Sequence, residues 1–184
     1  MKKIIFVFLS SIAAIAQVPS GYYSSATGNG LTLKSQLSTI IENSHTDQGY
    51  DAFDAFTAAN DLDVYSTYEN DNSILDIYSE RPNTSDPYNY TPVTDECGNY
   101  NGEGICYNKE HVIPQSVYNQ QLPMRSDAHT LLPTDGRVNG FRSNYPFGEV
   151  GSSLISQSGI SNPTLNGSKL GNATMKGTKG TVFE

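Results

Sequence analysis

Residues 107–145 read YNKEHVIPQSVYNQQLPMRSDAHTLLPTDGRVNGFRSNY, and this stretch carries the pattern that decides the fold. It contains His111 and His129, each near a carboxylate and each leading into a short apolar run that ends in proline. Such runs are typical of strand ends, because proline cannot donate to a sheet ladder. Residues 137–145 are polar with two apolar residues three positions apart, which is compatible with one exposed helix. The stretch therefore predicts two strands followed by a helix.

The polar residues of the same stretch suit the hydrolysis of a phosphodiester. An imidazole accepts a proton from water near neutral pH. Glutamate and asparagine oxygens are hard ligands of the kind that Mg²⁺ or Ca²⁺ prefers, and arginine binds phosphate. A lone histidine is more often structural, and Glu110 alone is more often a solvated acid. The prediction of metal-assisted hydrolysis therefore depends on the joint occurrence of these residue types.

Residues 1–16 predict a secretory signal peptide. Two lysines precede an uncharged apolar run that ends in the small-x-small pattern of a signal-peptidase site, so cleavage is expected before Gln17. The alternative, a single membrane anchor, needs roughly 20 apolar residues, and a proline and a glycine interrupt this run earlier. We expect a secreted or periplasmic protein whose residues 17–184 form one domain, with no stable membrane association and a monomeric state.

The formal net charge is −8, and its distribution is uneven. Residues 42–103 hold 14 acids and one base, whereas residues 107–150 are neutral overall and residues 151–184 carry an excess of two bases. An acidic chain does not attract a polyanion by its overall field. Action on nucleic acid would therefore need a local site and a metal cation, and the simpler interpretation of the acidic stretch is a solvated surface.

The chain has two cysteines, Cys97 and Cys106. In an exported protein an even number of cysteines favours a disulfide. The alternative is a zinc site that includes His111 and His129, although no CxxC pair supports it.

Apolar spacing predicts three further elements. Leucine and isoleucine recur at helical spacing over residues 31–43, which indicates an amphipathic helix, and residues 51–60 favour a second, shorter helix. Residues 73–79 favour a strand. Residues 81–107, with three prolines, are expected to form a long ordered loop tied by the disulfide.

Three motifs of the central stretch resemble the bacterial endonuclease I family, secreted or periplasmic nucleases of the His-Me finger (ββα-metal) class. They are NKEHVIPQS at residues 108–116, SDAHTL at residues 126–131 and VNGFRSN at residues 138–144. Similar segments occur at residues 21–23, 73–79 and 97–100, so the resemblance covers most of residues 17–184. It implies an α+β fold, in which a His-Me finger nuclease core is joined by additional helices and long loops.

The resemblance also implies roles for individual residues. His111 matches the general base that activates water. Glu110 and Asn139 match the residues that hold one divalent ion, typically Mg²⁺, with Ca²⁺ or Mn²⁺ as alternatives. Arg142 resembles a phosphate or transition-state contact.

Asp127 and His129 fall in the motif of the second strand and are interpreted as supporting the site. The segment between the first two motifs is shorter here than in some relatives, and residues 117–124 contain no basic residue. The transition-state arginine of those relatives therefore has no clear equivalent before Arg125.

The sequence departs from the family pattern again at the C-terminus. Relatives continue past Glu184 into a further helical segment, so residues 17–184 are expected to be a C-terminally incomplete nuclease domain. Residues 158–180 are polar without clear periodicity, and an amphipathic helix after Val182 and Phe183 is expected to cover an apolar face of the core in a complete relative.

The expected function is that of a secreted, metal-dependent endonuclease acting on DNA, RNA or both without strong sequence specificity. Its products would end in 5′-phosphate, because the metal stabilises the 3′-oxygen leaving group. The alternative is a noncatalytic extracellular binding module on a nuclease-like scaffold, with Tyr- and Asn-rich loops that bind glycans. The joint presence of His111, Glu110 and Asn139 counts against that alternative.

Overall fold

A computed structural model describes residues 18–64, 70–98, 102–174 and 180–184. The chain divides into two compact units, Met1–Thr46 and Asp47–Glu184. The predicted signal peptide, residues 1–16, lies outside the described residues. Within the described ranges, no helix combines the length and the apolar character that crossing a membrane requires.

The first unit contains helix α1, Gly30–Ser44, which confirms the helix predicted over residues 31–43. Leu33, Leu37 and Ile40 recur along one side of α1 and are half-buried. Within the same helix, the Ser38 hydroxyl donates to the Glu42 carboxylate at 2.9 Å.

The second unit contains the other regular elements of the described chain. These are α2 (Ala52–Asn60), β1 (Tyr107–His111), β2 (Leu131–Asp135), α3 (Gly136–Arg142), β3 (Val150–Leu154), β4 (Leu170–Ala173) and β5 (Thr181–Phe183). Two short 3₁₀ turns, Gln115–Tyr118 and Met124–Ser126, lie between β1 and β2. The described residues thus form three α-helices and two small antiparallel sheets, which is a mixed helix-and-sheet fold compatible with the α+β class.

Strands β1 and β2 pair antiparallel, with Tyr107 opposite Asp135 and His111 opposite Leu131. Strand β2 continues directly into α3, so the predicted order of two strands and a helix is present. Asp135 caps this helix, because its carboxylate accepts a hydrogen bond from the Val138 amide at 2.7 Å. The direct transition holds α3 close to β1.

Helix α3 differs from the exposed helix predicted over residues 137–145. It ends at Arg142, and Val138 and Phe141 are fully buried. They form a core cluster with Leu170 and Phe183, which come from the C-terminal sheet. Val138 and Phe141 therefore face the C-terminal sheet, which the polar sequence of residues 158–180 did not indicate.

Val182 and Phe183 pack within the described part of the chain. Both are buried in strand β5, which pairs antiparallel with β4. Strand β4 in turn pairs with β3, and Gly171 allows the close approach, since a Cβ there would lie 2.6 Å from the Ser153 carbonyl oxygen. These strands cover the apolar side of α3.

Residues 73–79 do not form the predicted strand. Ile74 makes one isolated antiparallel bridge with Leu62. The backbone amides then donate to carbonyls in three different segments: Ile74 to Tyr90, Leu75 to Asp61 and Ile77 to Pro133. The Asp76 carboxylate accepts the Tyr78 amide at 3.0 Å, which favours a turn over a continuing strand.

Cys97 and Cys106 form a disulfide with their Cα atoms 5.8 Å apart. The predicted pairing is confirmed, and it leaves no thiolate for the alternative zinc site. The described parts of the preceding loop, residues 81–98 and 102–106, contain no helix or strand, as predicted. Glu96 bridges to Tyr107 and so connects the loop to the beginning of β1.

Candidate active site

The candidate site is built on strand β1, whose successive side chains point to opposite sides. Asn108 and Glu110 contact residues of α3. Lys109 and His111 instead contact the ring of Tyr50. The strand thereby presents a carboxylate toward the helix and an imidazole toward an aromatic ring.

A cavity of about 170 Å³ lies where the end of β1 meets α3. Four predicted site residues line it together: Glu110, His111, Asn139 and Arg142. The remaining lining residues are Lys109, Pro114, Gln115, Ser143 and Asn144. The fold therefore brings the first and third sequence motifs into one cavity.

Glu110 is only 2 % exposed, and one of its oxygens has two partners. Oε1 accepts a hydrogen bond from the Tyr78 hydroxyl at 2.5 Å and lies 2.8 Å from Arg142 Nη1. Burial raises the pKa of the Glu110 carboxyl, although the hydrogen bond from Tyr78 and the charge of Arg142 act in the opposite direction. A cation at the other oxygen would stabilise the ionised form further.

Asn139 is held through its amide nitrogen. Nδ2 donates to Asn108 Oδ1 at 2.7 Å and to the Lys109 carbonyl at 3.1 Å. Because the nitrogen faces β1, the amide oxygen is the atom that remains for a cation. The oxygens of Glu110 and Asn139 fit a hard divalent ion such as Mg²⁺.

The contacts of His111 define which ring nitrogen is the base. Its Nε2 lies 3.0 Å from the Arg125 carbonyl oxygen, and a carbonyl only accepts hydrogen bonds. Nε2 therefore carries the proton, and Nδ1 has the lone pair that can accept one. The ring is largely buried, and burial lowers the pKa of His111, which favours the neutral imidazole.

Arg142 is as buried as Glu110, with 2 % of its side chain exposed. Nη1 donates to the His111 carbonyl at 2.8 Å, and Nη2 donates to the Val112 carbonyl at 2.7 Å. Its guanidinium also lies 4.6 Å from the centre of the Phe147 ring. These contacts connect the end of α3 to the end of β1, so the geometry favours a positioning role for Arg142.

Arg125, to which the sequence motifs assign no role, also contacts His111. Its carbonyl accepts from His111, and its guanidinium lies 4.9 Å from the centre of the Tyr50 ring. Among the described residues it forms no ion pair with a carboxylate. The sequence offers one signal for Arg125: it is the first basic residue after residues 117–124, which contain none.

Residues 73–79 supply two supporting residues that the sequence did not indicate, Tyr78 and Asp76. Tyr78 holds Glu110, as described above. Asp76 is buried and accepts hydrogen bonds from the Thr134 hydroxyl at 2.6 Å and from the Asp135 amide at 2.8 Å. The segment therefore fixes both Glu110 and the junction of β2 with α3.

Asp127 and His129 lie in the turn before β2, outside the lining of the cavity. The Asp127 carboxylate accepts the His129 amide at 3.0 Å, and the Asp127 carbonyl accepts the Leu131 amide at 3.0 Å. The His129 side chain is exposed. These contacts shape the entry to β2, and a supporting role for the two residues stays a prediction.

A separate acidic cluster contains Asp63, Glu80 and Asp86, whose carboxylate oxygens lie within 4.8 Å of one another. None of the three lines the cavity at the end of β1. Acidic groups often gather in this way without a metal ion, and the cluster does not bear on the chemistry of Glu110 and His111.

The profile of the family described as Endonuclease I matches residues 29–184 of this chain. No curated protein and no solved structure matches this chain. The matched region includes all three motifs and every residue that lines the cavity. Membership indicates a nuclease that acts on nucleic acid, and nucleases of this family are metal-dependent in general. The chain belongs to the endonuclease I family.

Proposed function

We propose that this protein is a divalent-metal-dependent endonuclease of the His-Me finger class. It hydrolyses phosphodiester bonds in DNA, RNA or both without strong sequence specificity. The observation that carries the proposal is that Glu110, His111 and Asn139 line one cavity, with the hydrogen bond of His111 leaving Nδ1 as the base nitrogen.

In this mechanism, Glu110 and Asn139 would hold the divalent ion through their oxygens. Mg²⁺ is the proposed ion, and Ca²⁺ and Mn²⁺ are alternatives with the same preference for oxygen ligands. When bound, the ion stabilises negative charge at the 3′-oxygen leaving group, which gives 5′-phosphate products. Tyr78 and Arg142 keep the Glu110 carboxylate in place through Oε1, which leaves Oε2 for the ion.

His111 acts as the general base. Nδ1 takes a proton from the attacking water, while Nε2 keeps its own proton in the hydrogen bond to the Arg125 carbonyl. Burial lowers the pKa of His111, which favours the neutral imidazole before the reaction. Buried Arg142 orients the residues around this base, and the Arg125 guanidinium, which has no carboxylate partner among the described residues, is the proposed phosphate contact.

We further propose that the protein is exported after removal of residues 1–16 and acts as a monomer in an extracellular or periplasmic compartment. The Cys97–Cys106 disulfide supports export, because disulfides persist in oxidising environments. The local site and its cation would compensate for the overall acidic charge, so substrate binding should weaken strongly with added salt.

The test is cleavage of plasmid DNA and of RNA with Mg²⁺, and with excess chelator. We expect cleavage only with the metal, and we expect His111→Ala to lower the rate by at least about 100-fold, since loss of a general base costs 10²–10⁴. His45→Ala, at an exposed histidine just after α1, is the matched control and should cleave normally.

Three results would contradict the proposal. Undiminished cleavage in chelator would exclude the metal-dependent mechanism. A folded His111→Ala protein with normal turnover would remove His111 from the chemistry, and a wild-type protein that binds glycans without cleaving nucleic acid would favour the noncatalytic alternative.

A further inference from the structure

We propose that Tyr50 is a positioning residue for the imidazole of His111. Its ring keeps the imidazole in the orientation in which Nε2 donates to the Arg125 carbonyl and Nδ1 stays available as a base. This inference rests on the proposed function, because it concerns the residue assigned there as the general base.

The contact between the two rings is a parallel stack. Their centroids lie 5.8 Å apart and their planes differ by 5°. This arrangement belongs to the offset-stacked geometries that aromatic rings favour. Tyr118 is also near His111, but its ring is 6.5 Å away and inclined by 53°. Tyr50 is therefore the ring whose face matches that of the imidazole.

A histidine held at one atom keeps rotational freedom. The hydrogen bond from Nε2 constrains one edge of the ring, yet the torsion that turns an imidazole about its bond to Cβ has a broad energy profile. Rotation about this bond would move Nδ1 out of place, and a half turn would put the carbon Cδ2 at its position. A flat surface against the ring face restricts that rotation, so the stack and the hydrogen bond together define a single orientation.

Tyr50 is itself held by two cations. Lys109 Nζ lies 4.8 Å and Arg125 Cζ lies 4.9 Å from the centre of its ring, both within the range of cation–π attraction. Lys109 is anchored in turn by ion pairs to Asp54 at 2.5 Å and Glu96 at 3.2 Å. The ring that orients the imidazole is therefore fixed by two charged side chains, of which Lys109 is itself held by ion pairs.

Arg125 links the two halves of this arrangement. Its carbonyl binds the edge of His111, and its guanidinium lies over the ring that covers the face of His111. His111, Tyr50 and Arg125 thus form a closed set of three mutual contacts. Since each contact uses a different surface, the orientation of the imidazole depends on all three.

The experiment compares Tyr50→Leu with Tyr50→Phe in the full chain. Tyr50→Phe keeps the aromatic face and should retain kcat within about twofold. Tyr50→Leu removes the face and should lower kcat about tenfold, because small displacements of a catalytic group are costly. The Mg²⁺ concentration for half-maximal activity should stay unchanged in both variants. Phe56→Leu, at an exposed ring of α2, is the matched control and should retain wild-type activity.

The second readout is ¹⁵N NMR of the imidazole in the metal-free protein. His111 signals are assigned by their loss in His111→Ala. Wild type and Tyr50→Phe should show one tautomer, protonated at Nε2, with nuclear Overhauser contacts from residue 50 to the imidazole. Tyr50→Leu should show averaging between the two tautomers. A merely structural role for Tyr50 would lower stability without changing the tautomer.

Several outcomes would overturn the inference. These are wild-type kcat and an unchanged His111 signal in folded Tyr50→Leu, equal damage in Tyr50→Phe, or absence of the Tyr50–His111 contacts in the wild-type spectrum. If Tyr50→Leu fails to fold, a wild-type spectrum without the Tyr50–His111 contacts or with both tautomers still overturns the inference. If the wild-type protein cleaves no nucleic acid, the proposed function fails, whereas the NMR result still decides whether Tyr50 orients His111.

Discussion

Arg142 and Arg125 both approach His111, but their charges have different surroundings. Arg142 is buried against Glu110 and two carbonyls of the chain that leaves β1. Arg125 lies over an aromatic ring and has no carboxylate partner among the described residues. The first arrangement holds the site together, and the second leaves a charge that a phosphate could use.

Substituting Arg142 should therefore affect stability first. Arg142→Met leaves the Glu110 carboxylate buried without its ion pair, and we expect the free energy of unfolding to fall by about 3 kcal/mol or more. Urea denaturation measures this change. A stability equal to wild type, with cleavage lost, would instead assign Arg142 to direct phosphate contact.

Arg125→Ala should have the opposite profile. Loss of one cation–π contact costs about 0.5–1 kcal/mol, so the urea midpoint should move little. Cleavage should fall at least about tenfold, because a charged hydrogen bond to phosphate is lost. Arg137→Ala, outside the cavity lining, is a matched control that should leave cleavage unchanged. Normal cleavage by Arg125→Ala would remove this residue from the site.

At the level of elements, the turn over residues 73–79 places Tyr78 against Glu110 of strand β1, although the turn does not pair with that strand. The ring of Tyr78 packs 5.2 Å from Phe183, while its hydroxyl reaches Glu110. Tyr78 thus connects the C-terminal sheet to Glu110, the proposed metal ligand.

Tyr78→Phe should weaken metal binding while the ring packing remains. Removing a partner of a ligand typically costs 10–100-fold in metal affinity, so half-maximal cleavage should need at least about tenfold more Mg²⁺. Titration of activity with Mg²⁺ measures this shift. Tyr88→Phe removes a hydroxyl 3.4 Å from Glu103 and should leave the titration unchanged. An identical titration for Tyr78→Phe would show that the Glu110 contact is unimportant.

For the second unit as a whole, the described C-terminal strands complete the core around α3. Phe183 is buried beside Phe141 and Leu170, in the same cluster as Val138. The apolar side of the helix that carries Asn139 is therefore covered by residues far along the chain. Packing at β5 and the geometry of the cavity are coupled through α3.

Phe183→Ala should destabilise the protein by about 3–5 kcal/mol, the usual cost of truncating a buried phenylalanine. Leu165→Ala, at a side chain that is 66 % exposed, serves as the control and should change stability by less than about 0.5 kcal/mol. Calorimetry or urea denaturation measures both. An equally small effect of Phe183→Ala would contradict the packing role of β5.

Much of the site could be predicted because its residues lie in local motifs. Glu110 and His111 are consecutive, and the two-strand-and-helix order follows from prolines and apolar spacing within residues 107–145. The strand expected at residues 73–79 was wrong, because apolar content reports burial and not the hydrogen-bond partner. There, the amides of Ile74, Leu75 and Ile77 donate to carbonyls in three different segments.

The sequence by itself determined the family, the two predicted N-terminal helices, the cysteine pair and the residues expected in the site. All of these depend on local spacing or on residue chemistry. Only the tertiary structure decided that Arg142 is buried, that Tyr50 covers His111, and that Phe183 packs beneath α3. The physical reason is that these contacts join segments far apart in the chain. Their energies arise from burial and geometry in the folded protein, which no single segment encodes.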